Sequence, residues 1–197
     1  PEQYQGKELK EIDDGPYLSM GITAENVARR YGVSRAEMEA LAVESHRRAH
    51  AAQEAGVFDA EIMPVNAVQE DGSTALFRRD EGIRPGTTAE KLAELKPCFL
   101  EDGLVTAATS SQVSDGAAAV VLMSREKAEQ LGVRPIARFL GFAVAGVDPS
   151  YMGIGPIYAV PKIMARTGLT VADMDVIELN EAFAAQAIPC IRELGID

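Results

Sequence analysis

Three mostly apolar runs in the second half of the chain constrain its fold more than any other feature. They lie at residues 117–123, 136–144 and 175–179, and each has the length of a strand. The first run, residues 117–123, is apolar along its whole length, which is typical of strands in sheets covered on both faces. Helix-like segments separate the three runs, and this alternation of strands and helices predicts a layered α/β fold.

The helices of this α/β region are predicted at residues 124–132, 156–167 and 182–194. Ser124 is a suitable N-cap for the first of them, and Gly132 is a suitable end. The part of the chain before residue 113 has a different character, because polar loops with Gly and Pro turn signals dominate it. We therefore place a boundary near residue 113, between a helical, loop-rich region and the α/β region.

Helix signals in the loop-rich region are local and specific. Thr23 is predicted to cap a short helix that ends at Gly32, and Ser34 opens a capping box for a long helix that ends near Gly56. A third helix is predicted after Thr88. Short strands are predicted at residues 61–65 and 104–106.

Composition and charge exclude several classes of protein. The chain has 197 residues, of which 47% are hydrophobic and 25% charged, the balance of a soluble globular protein. Its formal net charge of −11 argues against nucleic-acid binding, which relies on clustered Lys and Arg. No apolar run approaches the roughly 20 residues that span a bilayer, and no signal peptide is evident. The two cysteines form no zinc pattern, so we expect a reducing, cytoplasm-like compartment.

Asn180 is the best candidate for a catalytic group. It lies where a predicted strand passes into a predicted helix, at the carboxyl edge of the sheet, which is the usual location of α/β active sites. Its side-chain amide can donate a hydrogen bond to a developing oxyanion, directly or through a held water. An alternative interpretation is that Asn180 caps the helix that follows.

Residues 177–186, which read IELNEAFAAQ, resemble the Asn-Glu-Ala-Phe-Ala motif of thiolases, the enzymes that cleave or form 3-ketoacyl-CoA. The resemblance covers nearly the entire chain, because further segments match thiolases in order and spacing. These segments are residues 20–26, 83–88, 95–99, 105–119, 145–149 and 152–156.

The resemblance implies a partial thiolase-like layered α/β fold with a helical, loop-rich lid. Residues 1–113 would form the CoA-binding lid, residues 114–136 the end of the first core half, and residues 137–197 an incomplete second core half. The implied activity is that of an acetyl-CoA C-acyltransferase, which cleaves 3-ketoacyl-CoA with CoA through an acyl-cysteine intermediate. Coenzyme A would be a substrate, and no tightly bound cofactor or metal is implied.

Specific residues acquire expected roles from the same resemblance. Asn180 would hold the catalytic water of an oxyanion hole. Arg84 would lie against the adenine and phosphate end of CoA, and Ser111 would hydrogen-bond the pantetheine arm. The other members of the implied site contact CoA or line the acyl and pantetheine pocket, and they are Phe99, Ala107, Ala182 and Phe183.

Thiolase chemistry also needs groups that this chain does not supply in a matching setting. The nucleophilic cysteine of the family lies in a Cys-Ser-Ser or Cys-Ala-Ser setting upstream of this segment. The catalytic histidine and a second cysteine lie downstream of it. Cys98 and Cys190 match neither cysteine, and we predict structural roles for both. The 197-residue chain alone is therefore expected to be inactive in thiolysis.

Other interpretations stay open at this point. The chain is compatible with a non-catalytic CoA-binding or assembly module, with one part of a split thiolase, or with the biosynthetic acetoacetyl-CoA branch. His46 and His50 lie four residues apart on one predicted helix, a spacing that can bind a metal, but two arginines lie between them and no further ligand of the right kind is evident, which favours a solvated helix face. We expect a homo-oligomer, or completion by the rest of a thiolase. In a eukaryote the expected compartment is the mitochondrion or the peroxisome.

Overall fold

The computed structural model describes residues 17–196, and residues 1–16 of the predicted lid lie outside this range. Within it, α-helices alternate with loops and one β-hairpin. The helices are α1 (Met20–Tyr31), α2 (Arg35–Glu54), α3 (Ala89–Ala93), α4 (Arg125–Leu131), α5 (Gly155–Thr167) and α6 (Ala184–Leu194), and the strands are β1 (Val65–Val68) and β2 (Thr74–Phe77). Short 3₁₀ segments lie at Ala107–Thr109, Pro149–Ile154 and Val171–Asp173.

Helix α1 begins earlier than its sequence signals indicated. The N-cap is Ser19, whose Oγ accepts a hydrogen bond from the Ile22 N–H, so the prediction of a cap at Thr23 was wrong. Thr23 instead donates its hydroxyl to the Met20 carbonyl one turn back, at 2.8 Å. The predicted end at Gly32 is confirmed, since this residue has a φ of 63°, the left-handed conformation that glycine adopts without strain.

Helix α2 has the capping box that its sequence predicted. Ser34 accepts from the Glu37 N–H, and the Glu37 carboxylate accepts from the Ser34 N–H at 2.7 Å. Glu37 also accepts from Arg192 of α6, so one carboxylate both caps α2 and joins it to α6. Hydrogen bonds from the Ser34 backbone and side chain, and then from Arg192, lower the pKa of Glu37 to about 2.

The contribution of Glu37 to stability is expected to depend on pH. Its folded pKa of about 2 lies below the ordinary value of 4.5, so the carboxylate stabilises the fold above about pH 4.5 and loses this effect as the pH falls toward 2. Urea unfolding of wild type and Glu37→Gln should show a stability difference at pH 7 that shrinks toward pH 3. Glu129→Gln on α4 is the control. A Glu37 difference that stays constant with pH would contradict this assignment.

Helices α1, α2 and α6 pack around one apolar core, together with the segment that precedes the first 3₁₀ turn. The buried members are mostly small aliphatic residues, namely Ala24, Ala28, Val33, Met38, Val105, Ala184, Ala185 and Ile188. Small side chains let the three helices approach closely, and the removal of this apolar surface from water drives the packing. The start of α6, which follows Asn180, is thereby held against α1 and α2.

A buried carboxylate ties α1 to the same core segment. Glu25 is completely buried, and its side chain accepts hydrogen bonds from the backbone N–H groups of Leu104 and Val105 at 2.9–3.0 Å. Gly103 packs so tightly on this carboxylate that an added Cβ would lie 2.3 Å from its Oε1. Glu25 therefore fixes the course of the chain just before residues 107–112.

The short helix α3 is held on α2 by a single guanidinium. Arg35 donates from Nε to Glu39 at 2.6 Å and from Nη2 to the carbonyls of Leu92, Ala93 and Leu95. The Leu92 and Ala93 carbonyls belong to the carboxyl end of α3, and the Leu95 carbonyl lies just beyond it. The carboxyl end of a helix carries a partial negative charge that a cation stabilises. Helix α3 is thus attached to α2.

The hairpin is displaced from its predicted position. The strand predicted at residues 61–65 is found at Val65–Val68, where it pairs antiparallel with Thr74–Phe77. The predicted turn at Asp71 and Gly72 is confirmed, because Gly72 has a φ of 80° and the Asp71 carboxylate accepts from the Ser73 N–H. The second strand escaped prediction because its neighbours are polar and it is short.

The three apolar runs form no strand ladder within residues 17–196, contrary to their prediction as strands. Residues 104–106 contribute only an isolated bridge, between Thr106 and Pro97. A strand depends on hydrogen bonds to a neighbouring strand, and the described residues provide none for these runs. Their side chains are largely exposed, as at Val120 (82%) and Phe139 (72%).

Candidate functional site

A cleft of about 1080 Å³ opens between α2, α3 and two loops of the core. One loop is the 3₁₀ turn with the residues after it, and the other is the turn that leads into α6. Four of the predicted site residues line this cleft: Asn180, Arg84, Ala107 and Ser111. The structure therefore brings together residues that lie almost 100 positions apart in the sequence.

Asn180 does not cap α6. The N-cap position belongs to Phe183, which has no side-chain capping bond, so the alternative interpretation of Asn180 as a helix cap was wrong. Asn180 is exposed in the cleft, and its carboxamide has no hydrogen-bond partner within residues 17–196. Its two N–H donors are consequently available to a ligand.

The turn that carries Asn180 is anchored on two sides. On one side, the Ser111 N–H donates to the Ala182 carbonyl at 2.9 Å, and Ser110 forms a bridge with Phe183. On the other side, Ser45 of α2 donates its hydroxyl to the Glu181 carboxylate at 2.8 Å. The backbone on the carboxyl side of Asn180 is thus held while the Asn180 side chain stays free.

Ser111 and Ala107 take their places from the 3₁₀ turn. The Thr109 hydroxyl both accepts from the Thr106 N–H and donates to the Thr106 carbonyl, and the Ser110 hydroxyl donates to the same carbonyl at 2.8 Å. These bonds close the turn on itself. They expose Ala107 and Ser111 to the cleft, and the Ser111 hydroxyl has no partner among the described residues.

Arg84 forms the cationic end of the cleft. Its backbone N–H donates to Nδ1 of His46 at 3.3 Å, and its carbonyl accepts from the Thr87 hydroxyl at 2.8 Å. Its guanidinium is exposed and has no partner in residues 17–196. Lys91 lines the same end and donates to the Gly86 carbonyl. A free guanidinium beside an ammonium favours an anionic group such as phosphate.

The other predicted residues lie beside the cleft rather than in its lining. Phe99 and Phe183 meet edge to face, with ring centroids 6.0 Å apart and an interplanar angle of 77°. The Phe99 ring also covers Gly21, where an added Cβ would lie 2.0 Å from the ring. The Ala182 carbonyl accepts the hydrogen bond from the Ser111 N–H. The predicted contacts of Phe99, Ala182 and Phe183 with CoA stay predictions.

Neither cysteine lines the cleft, and no cluster suited to a metal occurs in the described part of the chain. Cys190 is buried in α6, and burial raises the pKa of its thiol, which disfavours the nucleophilic thiolate. Cys98 is exposed and free. His46 Nδ1 is occupied by the Arg84 N–H, whereas Nδ1 of His50 is buried without a partner among residues 17–196.

Several polar residues of the cleft had no predicted role, among them Ser45, Lys91 and Glu181. A signal for Ser45 existed, because it interrupts the packed stripe of α2 formed by Met38, Leu41 and Ala42. A hydroxyl at such a position requires a partner. Nothing local indicates that this partner is Glu181, which is 136 residues away.

Comparison with known protein families identifies the family to which this chain belongs. The family profile described as thiolase, N-terminal domain, matches residues 7–126, and that of the thiolase C-terminal domain matches residues 133–197. The chain belongs to the thiolase family. The boundary between the two matched domains of this thiolase chain lies between residues 126 and 133. The predicted boundaries of the lid near residue 113 and of the first core half at residue 136 stay predictions.

Relatives of this thiolase chain agree with that assignment. It is 53% identical over 189 residues to a 3-ketoacyl-CoA thiolase of Bacillus subtilis, with 92% of this chain and 48% of the relative covered. The acetyl-CoA acetyltransferase of Bacillus anthracis superposes with a TM-score of 0.86 at 44% identity, covering 95% of this chain and 48% of that structure. The dimeric peroxisomal thiolase of Saccharomyces cerevisiae gives the same score and identity, covering 100% and 48%.

These likenesses confirm the predicted thiolase-like α/β fold and membership of an acyltransferase family. The chain spans about half the length of the relatives that it matches. In the part that the structure describes, no helix combines the length and the apolar character needed to cross a membrane.

Proposed function

We propose that this chain supplies the CoA-binding lid and the oxyanion-hole asparagine of an enzyme that cleaves 3-ketoacyl-CoA with CoA. The observation that carries the proposal is the convergence of Asn180, Ser111 and Arg84 on one cleft, each with an unpaired polar side chain among the described residues. The likeness to a 3-ketoacyl-CoA thiolase supports the same activity.

The proposed chemistry follows thiolysis. A cysteine thiolate attacks the 3-keto carbon, the bond between C2 and C3 breaks, and acetyl-CoA leaves after its carbon is protonated. The thiol of free CoA then takes the acyl group from the cysteine. Negative charge develops on a carbonyl oxygen during acyl transfer, and the free N–H donors of Asn180 suit this charge, directly or through water.

The remaining residues have proposed roles in binding. Arg84 pairs with phosphate and stacks on adenine, and Ser111 bonds an amide of the pantetheine arm beside Ala107. The edge-to-face rings of Phe99 and Phe183, with Ala182 between the cleft and α6, support an apolar boundary to the acyl and pantetheine pocket. Cys98 and Cys190 take no part.

The biosynthetic acetoacetyl-CoA reaction is the second candidate, and the likeness to an acetyl-CoA acetyltransferase favours it. Both reactions use the same cleft, and the Ser-Ser-Gln-Val-Ser string at residues 110–114 inclines us to the degradative, β-oxidation direction. The exposed apolar runs support assembly with a second copy or with the rest of a thiolase. The proposed compartment is cytoplasmic, or mitochondrial or peroxisomal in a eukaryote.

The test uses the purified 197-residue chain. Isothermal titration calorimetry with CoA is expected to show saturable binding at one site, because the cleft presents donors for both phosphate and amide groups. An assay with 3-ketoacyl-CoA and CoA is expected to show no turnover, because no thiolate nucleophile lies in the cleft. Absence of CoA binding would refute the proposed site, and turnover by the chain alone would refute the assignment of roles.

A further inference from the structure

Helix α2 holds both sides of the cleft through two consecutive side chains. Ser45 donates to Glu181, beside Asn180, whereas His46 accepts from the backbone N–H of Arg84. The two contacts reach segments that lie about 100 residues apart. One helix of 20 residues with a complete capping box therefore sets the distance between the Asn180 side and the Arg84 side of the cleft.

The Ser45 contact is suited to fixing an orientation. The hydroxyl donates to a carboxylate at 2.8 Å, and hydrogen bonds to charged acceptors are shorter and stronger than those to neutral ones. Ser45 is half-buried on a packed face of α2, next to the buried Ala42. Its position is consequently well defined, while the exposed Glu181 would otherwise be free to move.

The Ser45–Glu181 bond complements a second anchor, which lies on the opposite side of the turn that carries Asn180. The Ser111 N–H holds the Ala182 carbonyl at 2.9 Å, one residue beyond Glu181. Together with the Ser110–Phe183 bridge, that bond holds the backbone after Glu181 but does not reach the Glu181 side chain. A second bond at Glu181, on the α2 side, holds the side chain next to Asn180, whose carboxamide lines the cleft.

We propose that Ser45 is a positioning residue, whose hydrogen bond to Glu181 orients Asn180 toward the acyl carbonyl of a bound acyl-CoA. The inference rests on the proposed function for the identity of the ligand. Preorganised donors stabilise developing charge because they need no rearrangement during the reaction. Ser45 acts through Glu181 and Asn180, and it has no contact of its own with the reacting atoms.

The experiment compares the affinities of the full chain for CoA and for acetyl-CoA, which differ only at the acyl group. In Ser45→Ala, the dissociation constant of acetyl-CoA relative to that of CoA is expected to rise about fivefold. This is less than the full effect of losing a hydrogen bond to a charged group, because Ser45 acts on the ligand only through Asn180. The CoA affinity itself should stay within about twofold, because the cationic end is untouched. A merely structural role would weaken both ligands together.

Matched variants separate the hydroxyl from its surroundings. Ser45→Thr keeps the hydroxyl and should retain the wild-type ratio, whereas Glu181→Gln keeps an acceptor oxygen without the charge and should give a ratio between those of wild type and Ser45→Ala. Ser45→Ala combined with Glu181→Ala should be no worse than either single change, since both remove the same bond. Ser73→Ala in the hairpin turn is the control outside the cleft. An unchanged ratio in Ser45→Ala would overturn the inference.

A second measurement needs no ligand and keeps the two proposals distinguishable. The backbone and side-chain amide signals of Asn180, assigned in ¹⁵N spectra with Asn180→Asp, should broaden or shift in Ser45→Ala and match wild type in Ser45→Thr. If wild type binds neither CoA nor acetyl-CoA, the proposed function fails and this spectrum alone decides the role of Ser45. Identical Asn180 signals in wild type and Ser45→Ala would overturn it.

Discussion

Replacement of Glu25 by alanine is expected to lower the free energy of unfolding by about 3 kcal/mol. The carboxylate is completely buried, and it accepts from the N–H groups of Leu104 and Val105. Its removal leaves two donors without acceptors in the core, and each costs roughly 1–3 kcal/mol. Chemical denaturation followed by circular dichroism measures the change directly.

Two further variants sharpen this prediction. Glu25→Gln retains one acceptor oxygen and should lose less stability than Glu25→Ala. Gly103→Ala leaves the carboxylate intact but directs a Cβ to within 2.3 Å of its Oε1, so it should destabilise the same contact by steric means. Glu129→Ala on the exposed face of α4 is the reference. A loss for Glu25→Ala no larger than that of Glu129→Ala would show that the buried contact contributes nothing.

Replacement of Arg84 by alanine is expected to weaken CoA binding about tenfold, the loss of one charge-assisted contact with phosphate. The guanidinium is unpaired in the described residues and lies at the cationic end of the cleft, so no internal salt bridge competes for it. Calorimetry with CoA measures the change. The affinity of wild type should also fall more steeply with added salt than that of the variant.

Controls for Arg84 separate its charge from its shape. Arg84→Lys keeps a cation but loses the planar guanidinium, and an intermediate affinity is expected. Arg134→Ala removes an arginine outside the cleft lining and should leave CoA binding unchanged. Equal CoA binding by wild type and Arg84→Ala would remove this residue from the proposed nucleotide site.

Features determined by neighbouring residues could be predicted from the sequence. The capping box of Ser34 and the left-handed ends at Gly32 and Gly132 need only a few adjacent residues, and the structure contains all three. The thiolase family was predicted differently, from the resemblance of ordered motifs along nearly the entire chain. The failure at Thr23 had a local cause, because Ser19 supplies an equally good cap one turn earlier.

Features that join distant segments could not be predicted. Glu25 meets Leu104 across 79 positions, and Ser45 meets Glu181 across 136. Neither pair has a local pattern that names its partner. The apolar runs illustrate the same limit, since their composition favours strands while strand formation depends on a neighbour elsewhere. The resemblance nominated Asn180 and Arg84 separately, and only the fold determines which nominated residues share a cleft.

Arg35 has a mechanical consequence for ligand entry. The Arg35 guanidinium of α2 is held by Glu39 of the same helix and bonds three carbonyls at and just after the end of α3, so a movement of α3 away from α2 would break these three bonds together. The two helices therefore move as one rigid unit. The loop that carries Arg84 is joined to the same two helices by its bond to His46, by Lys91, which donates to the Gly86 carbonyl, and by Gln53, which donates to the Asp80 carbonyl. This side of the cleft is therefore expected to move with α2 and α3 when a ligand enters.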